Sequence, residues 1–316
     1  MQTQLEVGNT GRDFFTDALN RNGVQQNPVF PGSLTDAAGN TGRSLVDTGA
    51  ADYAGVSQNV RLRRLAYSFK PFKDATFTVG TNVFPSDFVD FNSYANNSAQ
   101  DFSSGFFINN PLIINNAVDI DGGAGVALDW NPNEGPFSVR ATYVASQAFN
   151  ATGIGGGLGG APHTGILELE YANTFGADEE NNFAIRLQGA YSEADAIVSP
   201  ATVPAANSFN IEQKVLGVNA EATFGKIGIF GRYGISFNPQ VTVGGPGGGT
   251  ADLLGPAPSV AAALGVNTGS NIQTWMGGVG VKDILVPGSL FAVAVGQPYI
   301  VSDGLPNQFN LEAFYR

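Results

Sequence analysis

The feature that most constrains this chain is an alternation of apolar and polar residues within strand-length segments. In residues 164–172, Leu167 and Leu169 share one parity while Glu168 and Glu170 share the other. Successive side chains of a β-strand point to opposite faces, so this pattern predicts strands with one apolar and one polar face. The same alternation is clear in 136–146, 182–192, 213–224, 226–237 and 308–316.

Six weaker segments continue the pattern and bring the prediction to twelve strands. They are residues 2–7, 59–69, 73–81, 123–130, 271–281 and 289–297. The alternation slips by one residue at Arg63 and Arg64, which predicts a β-bulge there. Most of these segments have about 9–11 residues, the length that a tilted membrane-spanning strand needs.

The connections between the predicted strands alternate in length. Short turns are predicted near 70–73, 131–135, 173–181, 225–226 and 282–288. Longer connections are predicted at 8–58, 82–122, 147–163, 193–212, 237–270 and 298–307. Bacterial outer-membrane barrels have short periplasmic turns and long extracellular loops. We therefore predict that all long connections leave the sheet at one rim.

Composition supports an all-β, antiparallel transmembrane β-barrel that occupies residues 1–316 as a single domain. Charged residues make up 13% of the chain, against about 25% in a typical soluble domain. No segment approaches the roughly 18 consecutive apolar residues of a membrane-spanning helix. A chain with few charges and finely interleaved apolar residues fits a sheet whose apolar face meets lipid.

Charged residues of the predicted strands fall mainly on the polar face, with Arg64 as an exception on the lipid side. An Arg facing lipid at mid-bilayer costs about 2–4 kcal/mol, so the polar face should surround water. The predicted pore-lining residues are Arg61, Arg63, Asp129, Arg140, Glu168, Glu170, Arg186, Glu221, Arg232, Glu312 and Arg316. The alternative is a soluble sheet whose apolar face forms a core.

Several functions are poorly supported by the sequence. The net charge of −12 argues against nucleic acid as a partner, because phosphate binding relies on clustered Lys and Arg. The chain has no Cys, and its single His, His163, is predicted to be a solvated loop residue. Glu168 and Glu170 could imitate a glycosidase pair, but an acidic patch facing the lumen is favoured. We therefore predict neither an enzyme nor a bound cofactor.

The connection at 82–122 is unusually apolar for a loop. It contains constriction candidates Asp87, Asp90, Phe106 and Phe107. Apolar side chains in such number must be buried. Folding into the lumen and packing at a subunit interface or over the barrel mouth are equally compatible with the sequence. Asp119 and Asp121 resemble the start of a calcium loop, although the closing Glu is absent, which makes them a weak metal candidate.

Four segments resemble cyanobacterial iron-uptake porins, which belong with the carbohydrate-selective porins of the OprB type. The segments are Leu5–Asn9, Val60–Tyr67, Gly217–Asn219 and Leu311–Arg316. The resemblance implies an outer-membrane barrel of about 16 strands, preceded by a periplasmic SLH domain that anchors to the cell wall. On that basis we expect this chain to be the barrel portion, without the SLH domain and the outermost strands.

The functional prediction is an outer-membrane porin for passive diffusion of small hydrophilic solutes and inorganic ions. The resemblance implies iron uptake, and carbohydrate transport is the nearest alternative. A soluble all-β adhesin or lectin is the alternative from another class. Expected partners are outer-membrane lipid, small polar solutes or inorganic ions, and further copies of the chain in a homotrimer.

Overall fold

The computed structural model describes residues 1–6, 59–114, 116–119, 122–146, 148–149, 157–160, 162–176, 181–196, 209–243, 250–252, 271–301 and 309–316. The strands are β1 (Gln2–Glu6), β2 (Arg61–Phe72), β3 (Ala75–Val83), β4 (Gly123–Trp130), β5 (Phe137–Ala145), β6 (His163–Phe175), β7 (Asn181–Ala196), β8 (Phe209–Phe224), β9 (Ile227–Ser236), β10 (Gln240–Val243), β11 (Thr250–Asp252), β12 (Ile272–Lys282), β13 (Leu290–Val301) and β14 (Asn310–Tyr315).

Twelve of these strands form one antiparallel sheet in the order β1 to β9, β12, β13 and β14. The prediction of an all-β fold with twelve antiparallel strands is therefore confirmed. The small strands β10 and β11 pair with each other, and β10 also pairs with β8. The sequence prediction missed them and placed both in a long loop.

The predicted bulge in β2 is also confirmed. Gln4 of β1 pairs with Arg64, but the next residue, Leu5, pairs with Leu62, so Arg63 is the extra residue. Leu5 and Leu62 are both exposed on the outer side of the sheet. An extra residue brings two consecutive side chains towards the same face, and both Arg63 and Arg64 lie against the ring of Phe84.

Antiparallel pairing of consecutive strands makes the connections alternate between the two ends of the sheet. Phe72 pairs with Ala75 across the first short turn, at what we call the turn-side end. Glu6 pairs with Arg61, and Val83 with Gly123, at the opposite or loop-side end. The connections at 8–58 and 82–122 therefore leave the sheet at the same end, as predicted.

Residues 84–119, of which 115 is not described, pack against one face of the sheet. We call them the inner segment, and the face that they cover the inner face. The segment contains the short helices α1 (Gly105–Ile108), α2 (Pro111–Ile114) and α3 (Asn116–Asp119). It contacts Arg64 on β2 and Glu312 on β14. In a flat sheet these strands would lie ten spacings of about 4.8 Å apart, so the sheet curves around the segment in a barrel-like manner.

The opposite, outer face is apolar and exposed. Leu167 and Leu187 are 49% and 55% exposed, and Leu169, Ile185 and Ile229 are similarly open. In the described part of the chain, no second layer covers these side chains, which lie on the face predicted to be apolar. Within the same described ranges, no helix has both the length and the apolar character needed to cross a membrane.

Candidate functional site: the inner segment and the face it covers

The inner segment descends from the loop-side end to the turn-side end along β8. Asn92 Nδ2 donates to Asn219 Oδ1 at 2.9 Å, and the Ser93 backbone N–H donates to Glu221 at 2.7 Å. The hydroxyls of Tyr94 and Thr223 then lie 2.6 Å apart. The contacted residues 219, 221 and 223 are alternate residues of β8, and alternate residues of a strand share one face.

Asp90 is the centre of the polar contacts and is fully buried. Its Oδ1 accepts hydrogen bonds from Gln188 at 2.9 Å and from Asn219 at 2.8 Å. Arg232 Nε lies 3.0 Å from Asp90 Oδ2, an ion-pair distance, although it is not aligned for a hydrogen bond. The Asp90 backbone has φ of 65°, a left-handed conformation that Asp tolerates better than most residues.

A ladder of charges crosses β5 to β8 beside Asp90. Arg140 donates to Glu168 at 3.0 Å and to Glu170 at 2.9 Å. Arg186 donates to Glu170 at 2.5 Å and to Glu221 at 2.9 Å. We call Asp90, Arg140, Glu168, Glu170, Arg186, Glu221 and Arg232 the inner charge network.

The inner segment completes this network with its own backbone. Glu168 is fully buried, and its Oε2 accepts from the Asp90 N–H and from Gln188, both at 2.8 Å. Arg232 donates to the backbone carbonyls of Phe107, Asp90 and Ala95. The carboxylates of the network accept from Arg, amide and backbone N–H groups of the protein. This arrangement supports a structural role rather than acid–base chemistry.

An aromatic cluster covers the other half of the inner face. Phe102, Phe106 and Phe107 are buried together, with ring centroids 5.3 Å apart for Phe102 and Phe107 and 4.8 Å apart for Phe106 and Phe107. The strands contribute Phe230, Met276, Leu290, Ala292 and Ala294 from β9, β12 and β13. Phe314 of β14 meets Phe102 edge-on at 4.8 Å. These contacts account for the apolar residues that made the 82–122 connection unusual.

Two glycines leave room for Tyr94 on the inner face. Gly228 and Gly280 are cross-strand partners on β9 and β12. A Cβ at Gly280 would lie 2.7 Å from Tyr94 Cδ1, and one at Gly228 would overlap the ring itself. These glycines were not predicted as functional from the sequence. Their signal is their position at inward parity, where the cross-strand partners are Thr223 on β8 and Ala292 on β13.

The structure corrects the prediction that the strand charges line a water-filled lumen. Glu168, Glu170, Arg186, Glu221 and Arg232 do share the inner face, so their predicted parity holds, but all five are buried. The inner segment replaces water with backbone N–H, carbonyl and amide partners. Sequence alternation could not show this, because the partners are distant along the chain. Asp90 is 78 residues from Glu168 and 142 residues from Arg232.

The remaining predicted pore-lining residues have different surroundings. Asp129 is 56% exposed and lies 3.6 Å from Arg140, which is itself mostly buried. Glu312 accepts from the hydroxyls of Ser103 and Ser104 at 2.7 Å and 3.0 Å. Arg316 pairs with Asp101 at 2.6 Å at the turn-side end. The side chain of Arg61 lies outside the described residues.

Arg64 and the constriction candidate Asp87 form a separate pair near the bulge. The prediction that Arg64 faces lipid is wrong, because the bulge turns it towards the inner segment. Its Nε lies 2.7 Å from Asp87 Oδ1, and Arg63 lies 4.6 Å from the centre of the Phe84 ring. Of the other candidates, Asp90 anchors the inner charge network, and Phe106 and Phe107 belong to the aromatic cluster.

The two weaker candidates take structural positions. Asp119 accepts from the Ser86 N–H at 2.9 Å and from its hydroxyl at 3.0 Å, while Asp121 lies outside the described residues. No cluster of three or more His, Asp or Glu side chains suited to a metal occurs in the described ranges. His163 is not a solvated loop residue as predicted. It begins β6, is buried, and lies between the rings of Tyr143 and Tyr191.

Comparisons with known proteins do not name a family for this fold. No protein-family model matches the chain, and no curated protein matches it.

Proposed function

We propose that this chain forms an outer-membrane β-barrel through which small hydrophilic solutes and inorganic ions diffuse passively. The observation that carries the proposal is the exposed apolar outer face, combined with charged residues on the inner face. A soluble single-layer sheet has no reason to leave residues such as Leu167, Leu187 and Ile229 open to water. Soluble monomers rarely expose contiguous apolar patches larger than a few hundred Å².

The distribution of charge on the outer face supports lipid as its neighbour. In the described parts of β1–β9 and β12–β14, charged outer-face residues lie at the loop-side ends of β7 and β8, where Lys214 and Glu212 pair at 2.9 Å. Aromatic residues such as Trp130, Phe137 and Phe224 lie exposed near the turn-side end. Aromatic residues at the borders of an uncharged belt are typical of transmembrane barrels.

The inner segment narrows the passage in this proposal. Its polar half is bound to β5–β9, and its aromatic half to β9 and β12–β14. Accessible inward positions near the turn-side end include Ser68, Lys70 and Asp129, which are polar or charged. We therefore propose conduction of small ions and solutes past a fixed constriction. The resemblance to iron-uptake and carbohydrate-selective porins adds iron, other inorganic ions and sugars as solutes to be tested.

Conductance across a planar lipid bilayer tests the proposal directly. The net charge of −12 raises the cation concentration near the protein, and salt screens this effect over about 8–10 Å. We expect a modest cation preference in the reversal potential at low salt, and a weaker one at high salt. Absence of conductance, or a strong preference for anions, would contradict the proposed mechanism. A protein that is stable and monodisperse without detergent would favour the adhesin or lectin alternative instead.

A further inference from the structure

The turn between β12 and β13 presents three consecutive apolar residues to solvent. Ile284, Leu285 and Val286 are all exposed, and Leu285 is 81% exposed. Short turns are ordinarily built from Gly, Pro, Asn, Asp and Ser, whose side chains favour the turn conformation. The first short turn at the same end instead has the polar residues Lys73 and Asp74 at its tip. The apolar tip at 284–286 is therefore not explained by the need to turn the chain.

Hydrogen bonds close this turn and hold its tip outward. The Asp283 N–H donates to the Ser289 carbonyl at 2.8 Å, and the Ser289 N–H donates to the Val286 carbonyl at 3.0 Å. The Gly288 N–H donates to Asp283 Oδ1 at 2.7 Å. This bond holds the pKa of Asp283 below its ordinary value, and the positive charge of Lys226 lowers the pKa by a smaller amount. The side chains of the tip are thus presented by an ordered turn.

The apolar tip continues the apolar outer face of the sheet. Ile227 and Ile229, on the neighbouring strand β9, are exposed on the outer face next to this end of β12. Lys226 is 67% exposed and lies 3.7 Å from Asp283, whereas Nζ of Lys282 lies 5.7 Å from the centre of the Tyr94 ring on the inner face. Of these two Lys, Lys226 is therefore the one that lies open beside the turn.

We propose that the turn at 283–289 contacts the lipid leaflet on the turn side. Its apolar tip enters the boundary between acyl chains and headgroups, and the exposed Lys226 beside the turn is within reach of anionic headgroups. Apolar residues beside Lys are typical of segments that lie in this interfacial layer. The proposal rests on the proposed function, because it requires the outer face to lie in a bilayer.

Single spin labels measure the depth of each position. The chain contains no Cys, so Leu285→Cys, Leu167→Cys and Lys73→Cys each give one labelled site without other changes. Each variant is reconstituted into vesicles of phosphatidylethanolamine and phosphatidylglycerol. Collisions with oxygen, which enriches in lipid, are compared with collisions with a water-soluble nickel chelate. Leu167 reports the outer belt, and Lys73 reports a polar turn at the same end.

We expect the labels at 285 and 167 to favour oxygen several-fold over the nickel chelate, and the label at 73 to favour the chelate. A label at 285 that behaves like that at 73, while 167 remains in lipid, overturns the lipid contact and leaves the proposed function intact. Water exposure at 167 overturns the proposed function itself. Spin–spin broadening at 285 that disappears on dilution with unlabelled protein would assign the tip to a second copy and also overturn this proposal.

Discussion

The two halves of the inner face are covered by the same segment but bind it through different kinds of interaction. On β5–β8, and at Arg232 of β9, the contacts are ion pairs and hydrogen bonds of the inner charge network, such as Asp90 with Glu168 and with Arg232. On β9 and β12–β14 they are aromatic and aliphatic contacts around Phe102, Phe106 and Phe107. The stability of the polar half depends on each ion-pair partner being present, because a lost partner leaves a buried charge unpaired. The stability of the apolar half depends on side chains that fill the space between the segment and the sheet.

Removing one cation from the polar half should have the largest effect. Arg186→Met preserves much of the side-chain volume but leaves Glu170 and Glu221 without a shared partner. Breaking a buried ion pair from one side costs about 3–5 kcal/mol. We expect this loss in the free energy of unfolding, measured by urea titration of the lipid-reconstituted protein.

Arg316→Met is the matched control for that loss. Arg316 is more exposed and makes its pair with Asp101 at the turn-side end, so we expect about 0–1 kcal/mol from its replacement. Equal effects of the two substitutions would contradict the contrast between a buried network and a peripheral pair. The pore-lining interpretation of Arg186, in which water surrounds its side chain, predicts no loss for either variant.

Adding a side chain in the space that Tyr94 occupies should have an intermediate effect on stability. In Gly228→Ala the new Cβ overlaps the Tyr94 ring, and overpacking of this kind costs about 1–3 kcal/mol. We expect reduced stability and altered single-channel conductance, because Tyr94 and its neighbours must move. The cost should shrink in a Tyr94→Ala background, where the ring is absent.

Gly165→Ala provides a control on the outer face. Its Cβ would lie 3.5 Å from Tyr143 Cδ2, an ordinary contact, so we expect little change in stability or conductance. A cost at Gly228 that persists without the Tyr94 ring would show that the backbone, and not the inner segment, requires that glycine.

A volume-conserving change in the apolar half should have the smallest effect. Met276→Leu keeps the size and apolar character of a buried residue in the aromatic cluster, and such changes usually cost less than about 1.5 kcal/mol. Glu170→Gln is equally conservative in size but removes the charge that Arg140 and Arg186 both bind. Urea titration should therefore rank Glu170→Gln well above Met276→Leu. The reverse order would remove the distinction between the two halves.

The sequence by itself determined the twelve strands, their faces and the alternation of short and long connections. It also located the bulge at Arg63 and Arg64, because an extra residue that shifts a period-two pattern is visible locally. These features follow from the backbone, since neighbouring side chains of a strand must point to opposite faces. The exposed outer positions, including Leu167 and Leu187, follow from the same rule.

Only the tertiary structure decided which inward side chains meet water and which meet protein. Asp90 reaches Arg232 across 142 positions of the chain, and a local pattern carries no information about such a partner. The same limit explains Arg64, whose direction depends on the bulge and on Asp87, and His163, which lies against Tyr143 and Tyr191. Alternation specifies the face of a side chain, but its burial depends on what the folded chain brings against that face.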